Sequence, residues 1–283
     1  MGAGCVRGDG CKRGSMALAF IQITDHHLRK DASTLTRGYN TAFALEVVLR
    51  HIAEHNSTVD FMVTTGDLVE TGSDEEYRYA RSLIGLKSYS SPPGPQLASF
   101  FGVRSMPVYV LPGNHDPRDA FFRNMFPSTV EHGKLPAAMN ALFEHNGVQF
   151  VCIDWGNENK ALTTSEMLEH LAQALENPLP SIILSHHNVT PAGMARLNAL
   201  VADDIDRFAD TIRNKQVLAI FNGHTHATYE SAIAGVPVYG LRSTTYSFAQ
   251  SAEELCFVLR PPHYRVVTVA DGAVSSRIVE VAI

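Results

Sequence analysis

The chain has 283 residues, with 23 Lys plus Arg against 29 Asp plus Glu and a formal net charge of −6. No basic excess exists to neutralise a phosphate backbone, which argues against a stable nucleic-acid partner. Apolar residues at 45% and charged residues at 18% supply a large core and argue against intrinsic disorder, and the absence of any run of about 18 apolar residues argues against a membrane-spanning helix and a membrane partner.

Four cysteines are too few for a disulfide scaffold at this length. Cys152 and Cys256 sit in apolar runs and read as small core hydrophobes. Residues 1–15 hold no secretory h-region, because Gly, Arg, Lys and Cys interrupt every apolar stretch. They read as a flexible tail, and the cytoplasm is the default location. Residues 16–283 read as one α/β domain.

The elements follow in order. Ala17 to Ile23 is an apolar run with the length of a buried strand. A helix over 39–55 places Leu45, Val48, Leu49 and Ile52 on one stripe. Asp60 to Thr65 is a strand, and Ser73 to Leu83 a helix with Ser73 and Glu76 in capping-box spacing. Residues 86–105 are rich in Ser, Pro and Gly and read as a long loop. Pro107 to Leu111 is a short strand and 117–125 a helix. Leu142 to Glu144 and Val148 to Asp154 form a hairpin around Asn146-Gly147. A helix over 164–176, a strand over 181–185, one or two helices over 193–213 and a strand over 217–221 complete the alternating part. Short β-rich runs follow at 229–234, 236–241, 255–260, 264–271 and 276–282.

The polar residues are placed with a pattern. Asp25-His26-His27, Gly66-Asp67, Gly113-Asn114-His115-Asp116, His186-His187 and Gly223-His224-Thr225-His226 each follow the carboxyl end of a buried strand. Open α/β sheets place their ligand crevice there. Taken singly, each has a plainer reading: a lone Asp as a turn residue, a His pair as a satisfied core group, Gly-Asn as a turn tolerating positive φ. Five such coincidences at five strand ends are a poor account of one chain. Mixed carboxylate and imidazole donors without thiolate suit manganese, iron, zinc or cobalt. The two-residue spacing of Asp25 and His27, and of His224 and His226, puts each pair on one face of an extended segment. A carboxylate, unlike a neutral imidazole, bridges two cations.

Asp-x-His, Gly-Asp, Gly-Asn-His-Asp, His-His and Gly-His-x-His in this order resemble the calcineurin-like metallophosphoesterases, over Asp25 to His226. The resemblance implies a four-layer α-β-β-α sandwich with two mixed sheets, and a catalytic domain over 16–283. It implies two divalent metal ions, manganese or iron foremost and zinc or cobalt as alternatives. One would be held by Asp25, His27, Asp67 and His226, the other by Asp67, Asn114, His186 and His224. His115 matches the family's non-ligand histidine at the phosphate or leaving oxygen, and Asp116 is expected to orient it by a hydrogen bond. Thr71 stands where protein phosphatases carry arginine, and Asp116 where they carry glutamate. The chain looks more like the bacterial class III cyclic-nucleotide phosphodiesterases and their glycerophosphodiesterase relatives.

The expected activity is hydrolysis of a small phosphodiester, first a 3′,5′-cyclic nucleotide, by in-line attack of a hydroxide shared between ions about 3.5–4 Å apart. The alternatives are a glycerophosphodiesterase or broad phosphomonoesterase at the same site, and a non-catalytic binding protein on this fold. Arg29 and Lys30 read either as phosphate contacts or as a solvated pair, and Arg242 to Tyr246 either as rim or as ordinary structure. The 86–105 loop reads as a cap, as a contact pairing two copies in a homodimer, or as an exposed linker.

Overall fold

The computed structural model describes residues 17–87, 94–128, 136–250 and 255–282. The expected tail over 1–15 lies outside them. The first half carries β1 (Leu18–Ile23), α1 (Thr41–His55), β2 (Phe61–Thr65), α2 (Asp74–Ile84), β3 (Gln96–Phe100), β4 (Val103–Leu111) and α3 (Arg118–Met125). Then come β5 (Ala141–His145), β6 (Val148–Ile153), α4 (Ser165–Ala174), β7 (Ser181–Ser185), α5 (Ala195–Asn198), α6 (Ile205–Ile212) and β8 (Val217–Asn222). The remainder is β9 (Tyr229–Ile233), β10 (Val236–Gly240), β11 (Tyr246–Gln250), β12 (Leu255–Leu259), β13 (His263–Ala270) and β14 (Ala273–Glu280).

Two six-stranded mixed sheets result, ordered β14-β13-β1-β2-β4-β3 and β5-β6-β7-β8-β10-β9, with β11 and β12 as a separate pair. In the first sheet β1, β2 and β4 run parallel, and in the second β6, β7, β8 and β10 do. Their carboxyl ends therefore gather at one edge, which is what brings the polar strand-end residues within reach of each other.

The sheets pack on each other through aromatic rings. Phe20 lies 5.6 Å from Phe150 and 5.6 Å from Phe221, both edge-on, and Phe61 lies 5.2 Å from Phe150. Edge-to-face pairs at these separations add about 0.5–1.5 kcal/mol each beyond their area burial. On the outer face of the first sheet, α1 buries the expected stripe Leu45, Val48, Leu49 and Ile52. On the outer face of the second, Met167 and Leu171 of α4 and Phe208 and Ile212 of α6 share a core with Ile183, Ile220 and Val238. This is the expected four-layer sandwich. No helix among the described residues is long and apolar enough to cross a membrane.

Three local expectations change. The long loop over 86–105 contains β3, and β4 begins at Val103 rather than Pro107. The two are joined across Phe101 (φ 39°) and Gly102 (φ 93°), a tight reversal that Ser and Gly content alone does not distinguish from loop. Residues 88–93 of that stretch lie outside the described part. Tyr246 to Gln250 forms a strand where none was expected. Finally, Ser73 caps α2 by accepting from Glu76 N, but Glu76 does not reciprocate. Its carboxylate accepts instead from Thr71 N and Thr71 Oγ1, at 2.8 and 2.9 Å, and so braces the loop after β2.

Candidate active site

Backbone hydrogen bonds stitch the strand ends together. Asp25 N donates to Gly66 O, His27 N to Asp67 O and Gly223 N to His186 O, each at 3.0 Å. The two-residue spacings do converge, though not by extended backbone. Asp25, His27, Asp67, His224 and His226 all lie in the left-handed region, with φ of 55°, 47°, 50°, 68° and 47°. Non-glycine residues held there cost of order 1–3 kcal/mol each, and such strain collects at functional sites. Glycines make the close approaches. A Cβ on Gly113 would lie 2.2 Å from Asp67 Oδ1, one on Gly223 2.4 Å from Asp25 Oδ2, and one on Gly66 2.4 Å from His186 Nδ1.

Asp25, His27 and His226 bring ligand atoms within 4.8 Å of one another, as do Asp25, Asp67 and His186. His226 Nε2 is 3.3 Å from Asp25 Oδ1, and His27 Nε2 is 3.0 Å from His226 Nε2. Asp67 Oδ2 sits between the groups, 3.5 Å from His27 Nε2 and 3.4 Å from His186 Nε2. Asn114 Oδ1 is 3.0 Å from His186 Nε2. His224 enters no such group among the described residues. Its ring centre is 5.0 Å from that of His186, its backbone N–H donates to Asp25, and its Nε2 is committed to Asn159 O at 2.8 Å, which leaves Nδ1.

Hydrogen bonding fixes which nitrogens are free. His27 Nδ1 pairs with Glu70 Oε2 at 2.8 Å, His186 Nδ1 with Thr65 O at 2.8 Å, and His226 Nδ1 with Tyr246 O at 3.2 Å. Carbonyl and carboxylate oxygens only accept, so each Nδ1 carries a proton, and in the neutral imidazole each Nε2 presents a lone pair. The lone pairs of His27 and His226 thus face each other at 3.0 Å beside the carboxylates of Asp25 and Asp67. Such a gathering of buried acceptors is repulsive by itself and fits divalent cations, with the outer hydrogen bonds orienting each ring as metal-ligating imidazoles require. The carboxylate acidities agree, and the imidazole of His186 shows a proton competing for the same position. Burial pushes the carboxyl of Asp25 up, but His226 beside it wins and holds it below the usual range. Burial likewise opposes Asp67, yet His186 and His27 hold it well below that range. Burial depresses His186, but Asp67 outweighs it and raises the imidazole to about 9, so a cation taking the Nε2 of His186 displaces a proton from it.

His115 lines the same cavity and brings a nitrogen within 4.8 Å of ligand atoms of Asp67 and His27. Its Nδ1 donates to Glu70 O at 2.8 Å. The expected hydrogen bond from Asp116 is not made. Asp116 is buried below the loop and accepts from Gly113 N, Leu68 N and Tyr77 Oη at 2.8, 3.1 and 2.9 Å. Burial and the nearby Asp67 push its carboxyl up to about 6. It positions the Gly-Asn-His-Asp backbone, not the imidazole. Arg118 supports the same turn, donating to Gly113 O at 2.7 Å and Asp116 O at 2.5 Å while its fork grips Asp154.

The sequence did not single out Glu70 or Asn159. Glu70 holds His27 through its carboxylate and His115 through its carbonyl. Asn159 holds Asn114 through its side chain (Asn114 Nδ2 to Asn159 Oδ1, 3.1 Å) and His224 through its carbonyl. Glu70 falls three residues after Asp67 and was legible in principle. Asn159 lies on an irregular loop with no motif. His187 turns away from the donors to Glu158 O at 2.8 Å. Arg29 pairs with Glu76 at 3.2 Å and Arg242 with Glu280 at 2.7 Å, and neither lines the cavity. Arg37 and Tyr246 do.

Comparisons with known proteins agree with this arrangement. The chain is 27% identical over 268 residues to the 3′,5′-cyclic adenosine monophosphate phosphodiesterase CpdA of Haemophilus influenzae, covering 92% of this chain and 89% of that protein. It is 25% identical over 214 residues to the glycerophosphodiester phosphodiesterase GpdQ of Enterobacter lignolyticus, covering 74% and 71%. Among solved structures, a dimetal phosphatase from Danio rerio superposes with a TM-score of 0.58 at 13% identity, over 94% of this chain and 99% of that one. A purple acid phosphatase from yellow lupin gives 0.60 at 11% identity, over 94% and 52%. Residues 18–228 match the family described as calcineurin-like phosphoesterase. Span, fold and relatives coincide on the stretch that carries every candidate ligand, and the chain belongs to the calcineurin-like phosphoesterase family of metal-dependent hydrolases.

Proposed function

We propose that the protein hydrolyses a small phosphodiester, foremost a 3′,5′-cyclic nucleotide, at a two-metal site. Asp25, His27, Asp67 and His226 would hold one ion, and Asp67, Asn114, His186 and His224 the other, with Asp67 shared. The observation that carries this reading is the pair of donor groups meeting at Asp67 Oδ2, with ring nitrogens turned inward by their outer hydrogen bonds. Bound divalent ions supply positive charge for the phosphate oxygens and acidify a water.

The chain's own residues do the rest. His115 is held at Nδ1 by Glu70 O. Burial depresses its imidazole, but Asp67 and Glu70 outweigh burial and raise it above the usual range, so it enters as an imidazolium whose Nε2–H passes its proton to the leaving oxygen. Gly66, Gly113 and Gly223 let the donor loops close without side chains in the way. Asp116 and Arg118 hold the loop bearing Asn114 and His115. The cavity offers one guanidinium, that of Arg37, among its described lining residues, together with Leu197, Leu200, Phe248 and Phe257. That lining suits a singly charged diester with organic groups on both oxygens better than a dianionic monoester. The printed activities of the relatives from Haemophilus influenzae and Enterobacter lignolyticus support a diester as well.

The test compares bis(p-nitrophenyl) phosphate with p-nitrophenyl phosphate, with Mn²⁺ added. Faster diester hydrolysis, lost on His115→Ala by about 10²–10⁴-fold while metal binding is kept, is the expected outcome. Monoester preference would move the reading to a phosphomonoesterase, and inactivity across metals to a binding protein.

A further inference from the structure

The cavity over the donor residues encloses about 230 Å³, and part of its wall plays no role in ligation. That part is Phe248 and Phe257 of the β11–β12 pair, with Leu197 and Leu200 at and just after α5. The two rings belong to neither buried core and instead form, with Tyr246 at 5.4 Å from Phe257, a small aromatic cluster of the β11–β12 pair on the cavity wall. They are nevertheless fixed. Phe248 lies 4.9 Å from the ring of His226, and Phe257 lies 5.3 Å from Phe248. Tyr39 Oη donates to Phe257 O at 3.2 Å, tying the hairpin to the loop after β1. Arg37 lays its guanidinium 4.3 Å above the Phe257 ring.

Half-buried phenyl faces with a stacked guanidinium, next to a phosphate-directed site, are the chemistry that receives a planar base. Of the two side-chain amides in the lining, Asn114 is committed to Asn159 Oδ1 at 3.1 Å and to His186 Nε2 at 3.0 Å, and stacking itself accepts any base because every base has a π-face. We propose that Phe248 and Phe257, with Arg37, form a stacking platform for a heteroaromatic base. The platform makes the site prefer nucleoside-bearing diesters to alkyl diesters while discriminating weakly between bases. The proposal rests on the diesterase reading and adds the part of the substrate that the diesterase reading leaves open.

The test uses the metal-loaded full chain and its Phe248→Ala, Phe257→Ala and Phe257→Tyr variants. Substrates are 3′,5′-cyclic AMP, 3′,5′-cyclic GMP and glycerophosphoethanolamine. Binding of adenosine, which has no phosphate, is followed separately by saturation-transfer NMR without added metal. The platform predicts that each alanine variant loses roughly 5- to 150-fold in kcat/KM for both cyclic nucleotides, chiefly through KM. It predicts less than about 3-fold change for glycerophosphoethanolamine, recovery in Phe257→Tyr, and adenosine binding that vanishes with either ring. Equal losses on all three substrates would reduce the rings to a structural role and overturn the proposal, as would cyclic AMP and cyclic GMP rates differing by 10³ in the wild type. If the wild type cleaves no diester, the diesterase reading fails, and the adenosine experiment still decides whether the platform exists.

Discussion

Glu70 is one residue on which two functional histidines lean. Its Oε2 accepts from His27 Nδ1 at 2.8 Å and its carbonyl from His115 Nδ1 at 2.8 Å. Glu70→Ala removes the first and keeps the second, because the carbonyl belongs to the backbone. His27 is buried, so its Nδ1–H is left without an acceptor. A buried donor stranded in this way costs about 1–3 kcal/mol. At about 1.4 kcal/mol per factor of ten, that is roughly a 5- to 150-fold loss in affinity for an ion held by His27. The range overlaps the 10- to 100-fold that removing an outer partner of a ligating histidine typically costs. Glu70→Gln keeps an acceptor oxygen at the same reach and removes the charge, so it should recover most of the loss. The assay is calorimetric titration of metal-free protein with Mn²⁺, alongside thermal unfolding of the metal-free forms. The expected order of affinity is wild type, then Glu70→Gln, then Glu70→Ala, for one of two ions. Wild-type affinity for both ions in Glu70→Ala would refute the claim that the carboxylate orients His27.

Three further outcomes follow from the same geometry. Gly113→Ala drives a methyl to within 2.2 Å of Asp67 Oδ1 and 2.4 Å of its backbone N. It should cost about 1–3 kcal/mol by overpacking and weaken Mn²⁺ binding at least about 10-fold, whereas Gly147→Ala, with nothing within 4 Å, should leave calorimetric metal affinity untouched. Arg118→Met strands the buried carboxylate of Asp154 and should cost about 3–5 kcal/mol, read as a fall of roughly 6–20 °C in Tm. Burial pushes the Cys152 thiol up to about 12, so at pH 8 almost none is thiolate, whereas Cys256, contrary to the core position its apolar run suggested, is exposed. In a Cys5→Ser/Cys11→Ser background, a disulfide reagent should therefore titrate one thiol in the native protein and two in denaturant, and two fast native thiols would contradict the burial.

The α/β elements were readable because the strands are long apolar runs and the helices carry a full stripe, as Leu45, Val48, Leu49 and Ile52 do, whereas the two-sheet sandwich came only from the family resemblance. The strands that escaped are those whose signal is carried by pairing. Gln96–Phe100 lies at a sheet edge and is partly polar, and among the described residues Tyr246–Gln250 pairs with β12 alone. Candidate ligands were legible because strand ends in a parallel sheet share an edge, so position in sequence stands in for position in space. What position does not convey is direction. The left-handed φ of Asp25, His27, His224 and His226, the turn of Asp116 away from His115, and the use of Glu70 and Asn159 carbonyls as acceptors are properties of the backbone path. No residue type in the sequence records them.

The central claim is that two ions are held and that Asp67 joins them. The direct measurement is metal stoichiometry by elemental analysis after equilibration with Mn²⁺, for the wild type and Asp67→Ala. The account predicts two ions per wild-type chain, and loss of most bound metal together with activity in the variant. Two ions retained in Asp67→Ala, or full activity without them, would contradict it.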